Sequence, residues 1–481
     1  MNYFKFSLCG IASLALSVSA LAKEQRPNII LVMADDQGYG DCGFTGHPFV
    51  KTPELDAMAK ESVVFNQFYA AAPVCSPTRA SVLTGRNPMR TNIPNHGHYM
   101  RPHETTIAEA LKSAGYVTGH FGKWHIGSVQ PESPTSPGKV GFDEWLTGLN
   151  FFDQDPYLVK NGKYEQLKGQ GSVLTMDATL DFLKKHKDGD KPMFAVTWFP
   201  APHDPHKEVP VDFPGSDGLY KDLKKKYGVS DHFRGYFLEI TLLDQQVGRL
   251  RKELRKMDIA DNTLVWYCSD NGGLVKESSG GREKKGSIYE GGLRVPALLE
   301  WPAKLKHTTV NTPAYTSDIY PTLLQIAGAK VEHQAPLDGI DLAPVIAGTR
   351  TARPGMGFWH LYENGQSTWS DRIIKKLMVA QQAGDPTPHP ERVLKNVNDF
   401  PERDRSNFNG HAAWTQWPYK IHRIVSKGQQ SVELYNLVND PMEAKDLSNS
   451  DTDRTATMLE QLDVWQNSVF DSWEGKDYQK H

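Results

Sequence analysis

The stretch Pro27-Asn-Ile-Ile-Leu-Val-Met-Ala-Asp35-Asp36 joins an unbroken apolar run to a pair of acids. A run that is apolar at every position is typical of a strand buried on both faces, as in the middle of a parallel sheet covered by helices. We therefore predict a central β-strand that ends at Ala34, with Asp35 and Asp36 at its carboxyl end.

The same kind of strand recurs along the chain, each time after a segment with helical spacing. Helices are predicted over 105–114, 173–187 and 235–257, and the strands that follow them over 116–121, 193–199 and 263–268. These strands end near Lys123 and His125, at His203, and at Asp270 and Asn271. Repeated alternation of helix and strand indicates an α/β fold with helices on both faces, in which ligands bind beyond the carboxyl ends of the strands.

The last third of the chain has a weaker pattern. Short strands over 417–424 and 431–437 and a helix over 453–470 predict a small antiparallel sheet backed by a helix. The length of 481 residues exceeds what one hydrophobic core supports. We therefore predict a catalytic domain over 23–350 and a C-terminal subdomain over 351–481.

The first 22 residues have the composition of a secretory signal peptide. Lys5 precedes an apolar run over 6–21, and the small residues Ala20 and Ala22 have the spacing that signal peptidase prefers. The alternative is a short membrane anchor, but four serines interrupt the run and it is short for a spanning helix. We expect cleavage after Ala22 and a periplasmic or secreted protein with no membrane span.

Charge and cysteine content narrow the function further. The formal net charge of −3 gives no sign of the basic surface that nucleic-acid binding requires, so we expect no nucleic-acid partner. Beyond the signal peptide the chain has Cys42, Cys75 and Cys268. An odd number of cysteines in an oxidising compartment leaves one unpaired in any pairing, so one of them is expected to have a chemical role. Cys268 lies in an apolar run and is expected to be a buried core residue.

One segment is far more specific than the rest. Pro73-Val-Cys-Ser-Pro-Thr-Arg-Ala-Ser-Val-Leu-Thr-Gly-Arg86 resembles the signature of the type I sulfatases, which belong to the alkaline-phosphatase-like superfamily. The resemblance extends from Pro27 to about Pro302 and weakly to Glu443. It implies an alkaline-phosphatase-like mixed sheet sandwiched by helices, with the smaller antiparallel sheet plus helix at the C-terminus. The alternative to this resemblance is that Cys75 is an ordinary structural cysteine at a strand-to-helix turn.

The resemblance also implies a modified residue and a metal ion. Cys75 to Arg79 match the Cys-x-Pro-x-Arg sequence that a maturation enzyme reads when it oxidises the cysteine to formylglycine. The metal ligands implied are Asp35, Asp36, Cys75, Asp270 and Asn271. Oxygen ligands favour a hard cation over zinc, so one Ca²⁺ is expected, with Mg²⁺ as the alternative.

The catalytic residues implied by the family lie in four segments. They are Cys75 and Arg79, Lys123 and His125 in Gly-Lys-Trp-His-Ile-Gly, His203 in Pro-His-Asp-Pro-His, and Lys285 before Gly-Ser-Ile-Tyr-Glu-Gly-Gly. The family's pattern makes Lys123 and Lys285 sulfate-binding residues and His203 the proton donor to the leaving alcohol. Lys284 is the alternative to Lys285, and His206 is expected to be a supporting residue.

The predicted activity is hydrolysis of a sulfate ester, with a sulfated carbohydrate as the expected substrate. The alternatives are an arylsulfatase acting on small esters, a phosphonate monoester or phosphodiester hydrolase of the same superfamily, and a catalytically silent glycan-binding protein. His360, His411 and Trp414 are candidate sugar-contacting residues, together with Trp145, Trp359 and Trp417. Aromatic residues at this density also occur in hydrophobic cores, which is the competing interpretation.

Overall fold

The computed structural model describes residues 26–206, 209–211, 216–393, 397–406 and 408–478. The predicted signal peptide and its cleavage site lie outside the described residues. Within those ranges, no helix has the length and apolar character needed to cross a bilayer.

A ten-stranded mixed sheet organises the larger part of the chain, and a four-stranded antiparallel sheet forms a second lobe. The strands are β1 Asn28–Ala34, β2 Val63–Phe65, β3 Phe68–Tyr69, β4 Val117–Lys123, β5 Glu144–Gly148, β6 Tyr157–Lys160, β7 Lys163–Gln166, β8 Met193–Trp198, β9 Thr263–Ser269, β10 Ala297–Glu300, β11 Thr308–Val310, β12 Ala314–Tyr315, β13 Met356–His360, β14 Gly410–Gln416, β15 Tyr419–Ser426 and β16 Gln429–Asn436. The large sheet has the order β11-β2-β10-β9-β1-β8-β4-β5-β6-β7, and the small sheet the order β13-β14-β15-β16.

The centre of the large sheet is parallel, as the sequence predicts. Strand β1 is buried at all seven positions and pairs in parallel with β8 on one side and β9 on the other. Strand β4 extends the parallel set beyond β8. The carboxyl ends of these four strands therefore open onto one edge of the sheet, where the polar residues predicted for a site are found.

Helices cover both faces of this sheet. They are α1 Pro53–Ala59, α2 Cys75–Thr84, α3 Ile107–Ser113, α4 Gly171–His186, α5 Leu223–Tyr227, α6 Arg234–Lys256, α7 Glu290–Leu293, α8 Ile319–Ala327, α9 Ala343–Ile346, α10 Ser370–Ala383 and α11 Thr452–Trp473. Alternate residues of β1 point into two separate apolar cores: Ile29 and Leu31 into one, Ile30 and Val32 into the other. The predicted fold class, a mixed sheet sandwiched by helices with a smaller antiparallel sheet and helix, is confirmed.

The C-terminal lobe is not confined to its own sheet. Helix α11 packs on the small sheet, where Leu462 and Trp465 share a core with Ala412. Helix α10 instead returns to the large sheet, where Asp371 accepts a hydrogen bond from the backbone of Tyr157. The division of the chain at residue 350 stays a prediction, and the second unit sends one of its helices back over the first.

Candidate active site

Four acidic and amide side chains meet where β1 and β9 end. Carboxylate oxygens of Asp35, Asp36 and Asp270 lie within 4.8 Å of one another. Asn271 donates from Nδ2 to Asp36 Oδ1 at 2.8 Å, and the backbone N–H of Asp36 donates to Asp270 Oδ1 at 3.1 Å. All four side chains are buried. The parallel register that sets Ala34 beside Ser269 brings these residues together across more than 230 positions of sequence.

Cys75 is the first residue of α2, and the helix points its amino end toward the acidic cluster. The thiol is completely buried, with Lys123 Nζ at 3.3 Å and His125 Nδ1 at 3.4 Å from Sγ. Burial works to raise the pKa of the Cys75 thiol, but nearby basic groups, Lys123 foremost, outweigh it and hold the pKa well below its usual value. A group at this position is therefore held in an environment that favours negative charge.

Three cations neutralise the acids. Lys123 Nζ lies 2.6 Å from Asp35 Oδ2, and Lys285 Nζ lies 2.6 Å from Asp36 Oδ2. Arg79 donates from Nε and Nη2 to Asp270 Oδ2, at 3.1 and 2.7 Å. The neighbouring Lys284 instead donates to the backbone oxygen of Leu274, which separates it from the cluster.

Two carboxyl groups of this cluster, those of Asp35 and Asp270, have pKa values shifted in opposite directions. Burial works to raise the pKa of Asp35, but Lys123, His203 and Arg79 together lower it to about 2. Burial and the negative charge of Asp35 raise the pKa of Asp270 well above its ordinary value. Carboxylates crowded this closely in a buried site therefore still repel one another despite the lysines and the arginine.

Two predicted histidines flank the cluster. His203 Nε2 lies 3.8 Å from Asp36 Oδ2, and its Nδ1 lies 2.8 Å from the backbone oxygen of Asp204. Burial, followed by the charge of Lys285, lowers the pKa of His203. Burial also lowers the pKa of His125, to about 3, so the imidazole beside Cys75 is neutral at physiological pH. His206 Nε2 lies 3.0 Å from the backbone oxygen of Pro202, and its Nδ1 lies 3.3 Å from Asp204 Oδ1 without a hydrogen bond, so His206 supports the loop that carries His203.

Four further residues belong to this site, and no sequence motif pointed to them. His96 Nδ1 lies 3.7 Å from Cys75 Sγ, and its ring stacks on that of His125 with centroids 5.3 Å apart. Thr368 Oγ1 lies 3.1 Å from His125 Nε2 and accepts from Asn150 Nδ2 at 2.9 Å. The ring of Phe151 stacks on that of His203. No local pattern distinguishes these residues, because they reach the site from loops rather than from regular elements.

The predicted sugar-contacting residues lie elsewhere. Trp414 packs against Trp465 and donates to Gln461 on α11, in a core on the far face of the small sheet. His411 is buried at 2.9 Å from His422 in a network that ends at Glu443. The prediction that Trp414 and His411 form an open sugar-binding rim is corrected by this packing, since neither faces solvent beside Cys75.

Two further members of that predicted rim, His360 and Trp359, are also buried. His360 is buried near His96, and burial, followed by the charge of His96, lowers the pKa of His360 to about 4. Trp359 is a core residue in contact with Phe470 and Trp473. Neither position offers the exposed ring face that a sugar needs for stacking.

A buried cysteine, a cluster of acids suited to a cation and three basic side chains form a site suited to an oxyanion. On a mixed sheet sandwiched by helices, at the carboxyl ends of its parallel strands, they define a hydrolase of the alkaline-phosphatase-like class. Residues 27–329 match the Sulfatase family model. The chain belongs to the sulfatase family, and the protein is a sulfatase.

Individual relatives agree with this assignment. The chain is 31% identical over 360 residues to the ulvan-active sulfatase of Formosa agariphila, covering 71% of this chain and 69% of that one. It is 32% identical over 395 residues to human (Homo sapiens) arylsulfatase A, covering 73% and 74%. Among solved structures, Ps i-CgsB in complex with k-i-k-neocarrahexaose superposes with a TM-score of 0.73 and 26% identity, over 95% of this chain and 94% of that chain.

Proposed function

We propose that this sulfatase removes sulfate from a sulfated glycan, with formylglycine formed from Cys75 as its nucleophile and one Ca²⁺ as its metal. The observation that carries the proposal is the position of Cys75, whose sulfur lies 3.3 Å from the Lys123 ammonium, which also binds Asp35. A hydrated aldehyde there supplies a hydroxyl nucleophile and a second hydroxyl on the same carbon, from which the sulfated intermediate can be broken down by elimination.

The residues fit a hard divalent cation. Asp35 Oδ1 and Asn271 Oδ1 are buried and have no hydrogen-bond partner among the described residues. Buried oxygens without partners are costly unless an ion or water satisfies them, and the repulsion between Asp35 and Asp270 favours a positive ion between them. Asp35, Asp36, Asp270, Asn271 and residue 75 would hold the ion, and oxygen donors favour Ca²⁺, with Mg²⁺ second. A cation bound there supplies positive charge to the sulfate group.

The basic residues are assigned by their positions. Lys123 and Lys285 bind sulfate oxygens, since both ammonium groups are fixed at the edge of the acidic cluster. Arg79 orients Asp270 through two hydrogen bonds to the same oxygen and extends its charge toward residue 75.

Proton transfer is divided between two histidines of the site, His203 and His125. His203 is held by its Nδ1 against the Asp204 backbone, so Nε2 is the atom turned to the site, and it protonates the leaving alcohol oxygen. His125 has its Nδ1 at the nucleophile and is neutral, so it accepts a proton when sulfate is released. His96, stacked on His125, is placed to share this task.

Peptide mass spectrometry tests the nucleophile. We expect active protein to carry formylglycine at position 75, and Cys75→Ala to abolish turnover, because an alanine offers no hydroxyl. Cys268→Ala is the matched control, since Cys268 is also a buried free cysteine but lies in the strand core. Full activity from protein with only intact Cys75 would refute the proposal.

Metal analysis tests the cation. We expect about one Ca²⁺ per active chain, and loss of activity on chelation that Ca²⁺ or Mg²⁺ restores. One ligand atom from each of Cys75, His96 and His125 also lies within 4.8 Å of the other two, and sulfur with two imidazoles is a softer ligand set. Stoichiometric zinc bound there in the active enzyme would contradict the assignment.

The glycan substrate is inferred from relatives. One is named an ulvan-active sulfatase, and a structural neighbour was solved with a neocarrahexaose. The similarity to arylsulfatase A favours small aryl esters as the second candidate. Sulfated oligosaccharides of several classes, tested beside 4-nitrophenyl sulfate and followed by NMR of the desulfated position, decide between them.

We infer that the chain is exported and is modified by a separate maturation enzyme. The support for both inferences is in the sequence, in the signal-like residues up to Ala22 and in the Cys-x-Pro-x-Arg segment. Amino-terminal sequencing of protein recovered from the periplasm or medium tests export. Expression with and without a maturation enzyme tests the modification.

A further inference from the structure

The segment that joins β13 to α10, residues 361–369, crosses from the small sheet to the large one and is here named the strap. Two of the few large apolar side chains that the described residues expose lie on it, Tyr362 at 62% and Trp369 at 60%. Exposed aromatic rings cost hydration free energy and, when they gather near a site, indicate a surface that binds something.

The strap is fixed against the active site. Thr368 Oγ1 lies 3.1 Å from Nε2 of His125, the histidine beside the nucleophile. The backbone N–H groups of Gly365 and Gln366 donate to the carbonyls of His96 and Gly97, at 2.7 and 2.9 Å. These contacts hold the strap in place beside the nucleophile.

Phe151 connects the strap to the proposed proton donor. Its ring stacks on the imidazole of His203 with centroids 4.5 Å apart and planes at 14°. It also meets the Trp369 indole edge-on, with centroids 5.8 Å apart. Trp369 is therefore one ring farther than Phe151 from the atom that protonates the leaving oxygen. With His203 as the proposed proton donor to the leaving sugar, the Trp369 ring is placed for the next unit of a chain.

Unsatisfied polar atoms accompany these rings. Asn150 Oδ1 and Gln366 Oε1 are buried and have no hydrogen-bond partner among the described residues. Both are carboxamide oxygens, which accept hydrogen bonds from hydroxyl groups. Asn150 adjoins Phe151 in sequence, and Gln366 lies on the strap itself.

We propose that Trp369, backed by Phe151, is a stacking platform for a pyranose ring of the substrate adjacent to the ring that carries the sulfate, and that Asn150 and Gln366 accept hydrogen bonds from its hydroxyls. A pyranose presents a C–H face that packs on an aromatic ring and a rim of hydroxyls that needs acceptors, and the strap offers both. The inference rests on the proposed function, because it identifies how a glycan rather than a small ester is held. It also assigns substrate specificity to the C-terminal lobe.

The test compares Trp369→Ala and Trp369→Phe with the unchanged, fully matured enzyme. The substrates are sulfated oligosaccharides of the ulvan, carrageenan and galactosaminoglycan classes and, as a short substrate, 4-nitrophenyl sulfate. For each oligosaccharide that the unchanged enzyme hydrolyses, we expect Trp369→Ala to lower kcat/KM about 10-fold, mainly through KM, because the ring binds ground state and transition state alike. Trp369→Phe should recover most of this loss, and 4-nitrophenyl sulfate should be hydrolysed within about twofold of the normal rate.

Val464→Ala is the matched control, because Val464 is an equally exposed apolar residue on α11. Val464→Ala should leave kcat/KM unchanged for the oligosaccharides and for 4-nitrophenyl sulfate. Equal KM values for Trp369→Ala and the unchanged enzyme on a hydrolysed oligosaccharide would overturn the platform and leave the sulfated-glycan function standing. Failure of the unchanged enzyme to hydrolyse any sulfated glycan, with 4-nitrophenyl sulfate turned over, would overturn the glycan function and the platform with it.

Discussion

Asp36 and His125 both have a left-handed backbone, with φ of 76° and 62°. Non-glycine residues adopt this conformation at a cost of about 1–3 kcal/mol, and such residues cluster at functional sites. At Asp36 the turn directly after β1 points one carboxylate oxygen at Lys285 and the other at Asn271. At His125 it turns the ring back toward Cys75 after β4 has ended. The backbone strain at these two residues lowers the stability of the fold, and it orients two side chains of the site.

The contribution of His203, the proposed proton donor, should depend on the leaving group. An alkoxide from a sugar is a very poor leaving group, whereas nitrophenolate needs little proton assistance. We expect His203→Ala to lower kcat/KM for a sugar sulfate by about 10²–10⁴-fold and for an aryl sulfate by clearly less.

Lys123→Ala is the comparison for this experiment. It should impair both substrates similarly, because sulfate binding is common to them. An equal loss on both substrates for His203→Ala would mean that the histidine acts on the sulfate or the nucleophile.

Residues of the site that stand in compact motifs can be identified from the sequence, and those outside such motifs cannot. Asp35, Cys75, Lys123 and Asp270 each follow, begin or end a recognisable element, so their positions at one sheet edge are predictable. His96 and the strap reach the site by tertiary packing alone, which leaves no periodic signal in a single sequence. For the same reason the sequence does not show which aromatic residues can contact a sugar. Trp414 and Trp369 look alike in sequence, and only their burial in the structure distinguishes them.

At the scale of elements, strand β4 contains one position, Gly122, at which its close contact with the neighbouring strand requires a glycine. Gly122 has φ of 108°, and a Cβ there would lie 1.8 Å from the backbone oxygen of Trp198 on the neighbouring β8. The two residues are also register partners. The close approach of the two strands fixes the direction in which the next residue, Lys123, leaves the sheet.

Gly122→Ala should therefore destabilise the protein by about 2 kcal/mol or more, through overpacking and an unfavourable φ, and should also lower activity by displacing Lys123. Urea unfolding and kcat/KM measure the two effects. Gly46→Ala is the control, because Gly46 also has a positive φ of 95°, but a Cβ at that position would meet no atom within 4 Å. It should cost about 1 kcal/mol and leave kcat/KM unchanged. Equal behaviour of the two variants would exclude the steric explanation.

Long buried strands are predictable from this sequence and short ones are not. The continuous apolar runs of β1, β8 and β9 indicate a parallel centre, and the structure confirms it. The antiparallel β10 and the outer strands β5, β6 and β7 have four or five residues each, too few for a pattern to develop. Strand β13 escapes prediction because it has only five residues, and helix α10 because it packs on β6 and β7 of the large sheet, far from it in sequence.

Across the whole molecule, the last helix joins the two lobes. The buried Arg101 donates to the backbone oxygens of Ser472 and Trp473 at 2.9 and 2.6 Å. The Trp473 indole donates to Asn92 at 3.0 Å, and its ring shares a core with Met89. The segment that follows the Cys75 helix is therefore held by the final turn of α11.

Trp473→Ala should lower the free energy of unfolding by about 3–5 kcal/mol, as for other large residues removed from a core. Because Trp473 contacts both lobes, loss of activity and loss of helical circular dichroism should shift together along the urea axis. Val464→Ala on the exposed face of α11 should change stability by less than about 0.5 kcal/mol. Separate transitions for the two signals would show that the lobes unfold independently.

The helix that begins at Cys75 also limits when the chain can be modified. All ten of its residues are buried, including Pro77 and Arg79 of the segment that the proposed maturation enzyme reads. An enzyme cannot grip three enclosed side chains, and exposing them requires a large part of the core to open. The proposed oxidation of Cys75 is therefore expected to take place between synthesis and folding. On this proposal a chain that folds before it is modified keeps the Cys75 thiol, so the active fraction of a preparation measures the share of chains that were oxidised before they folded.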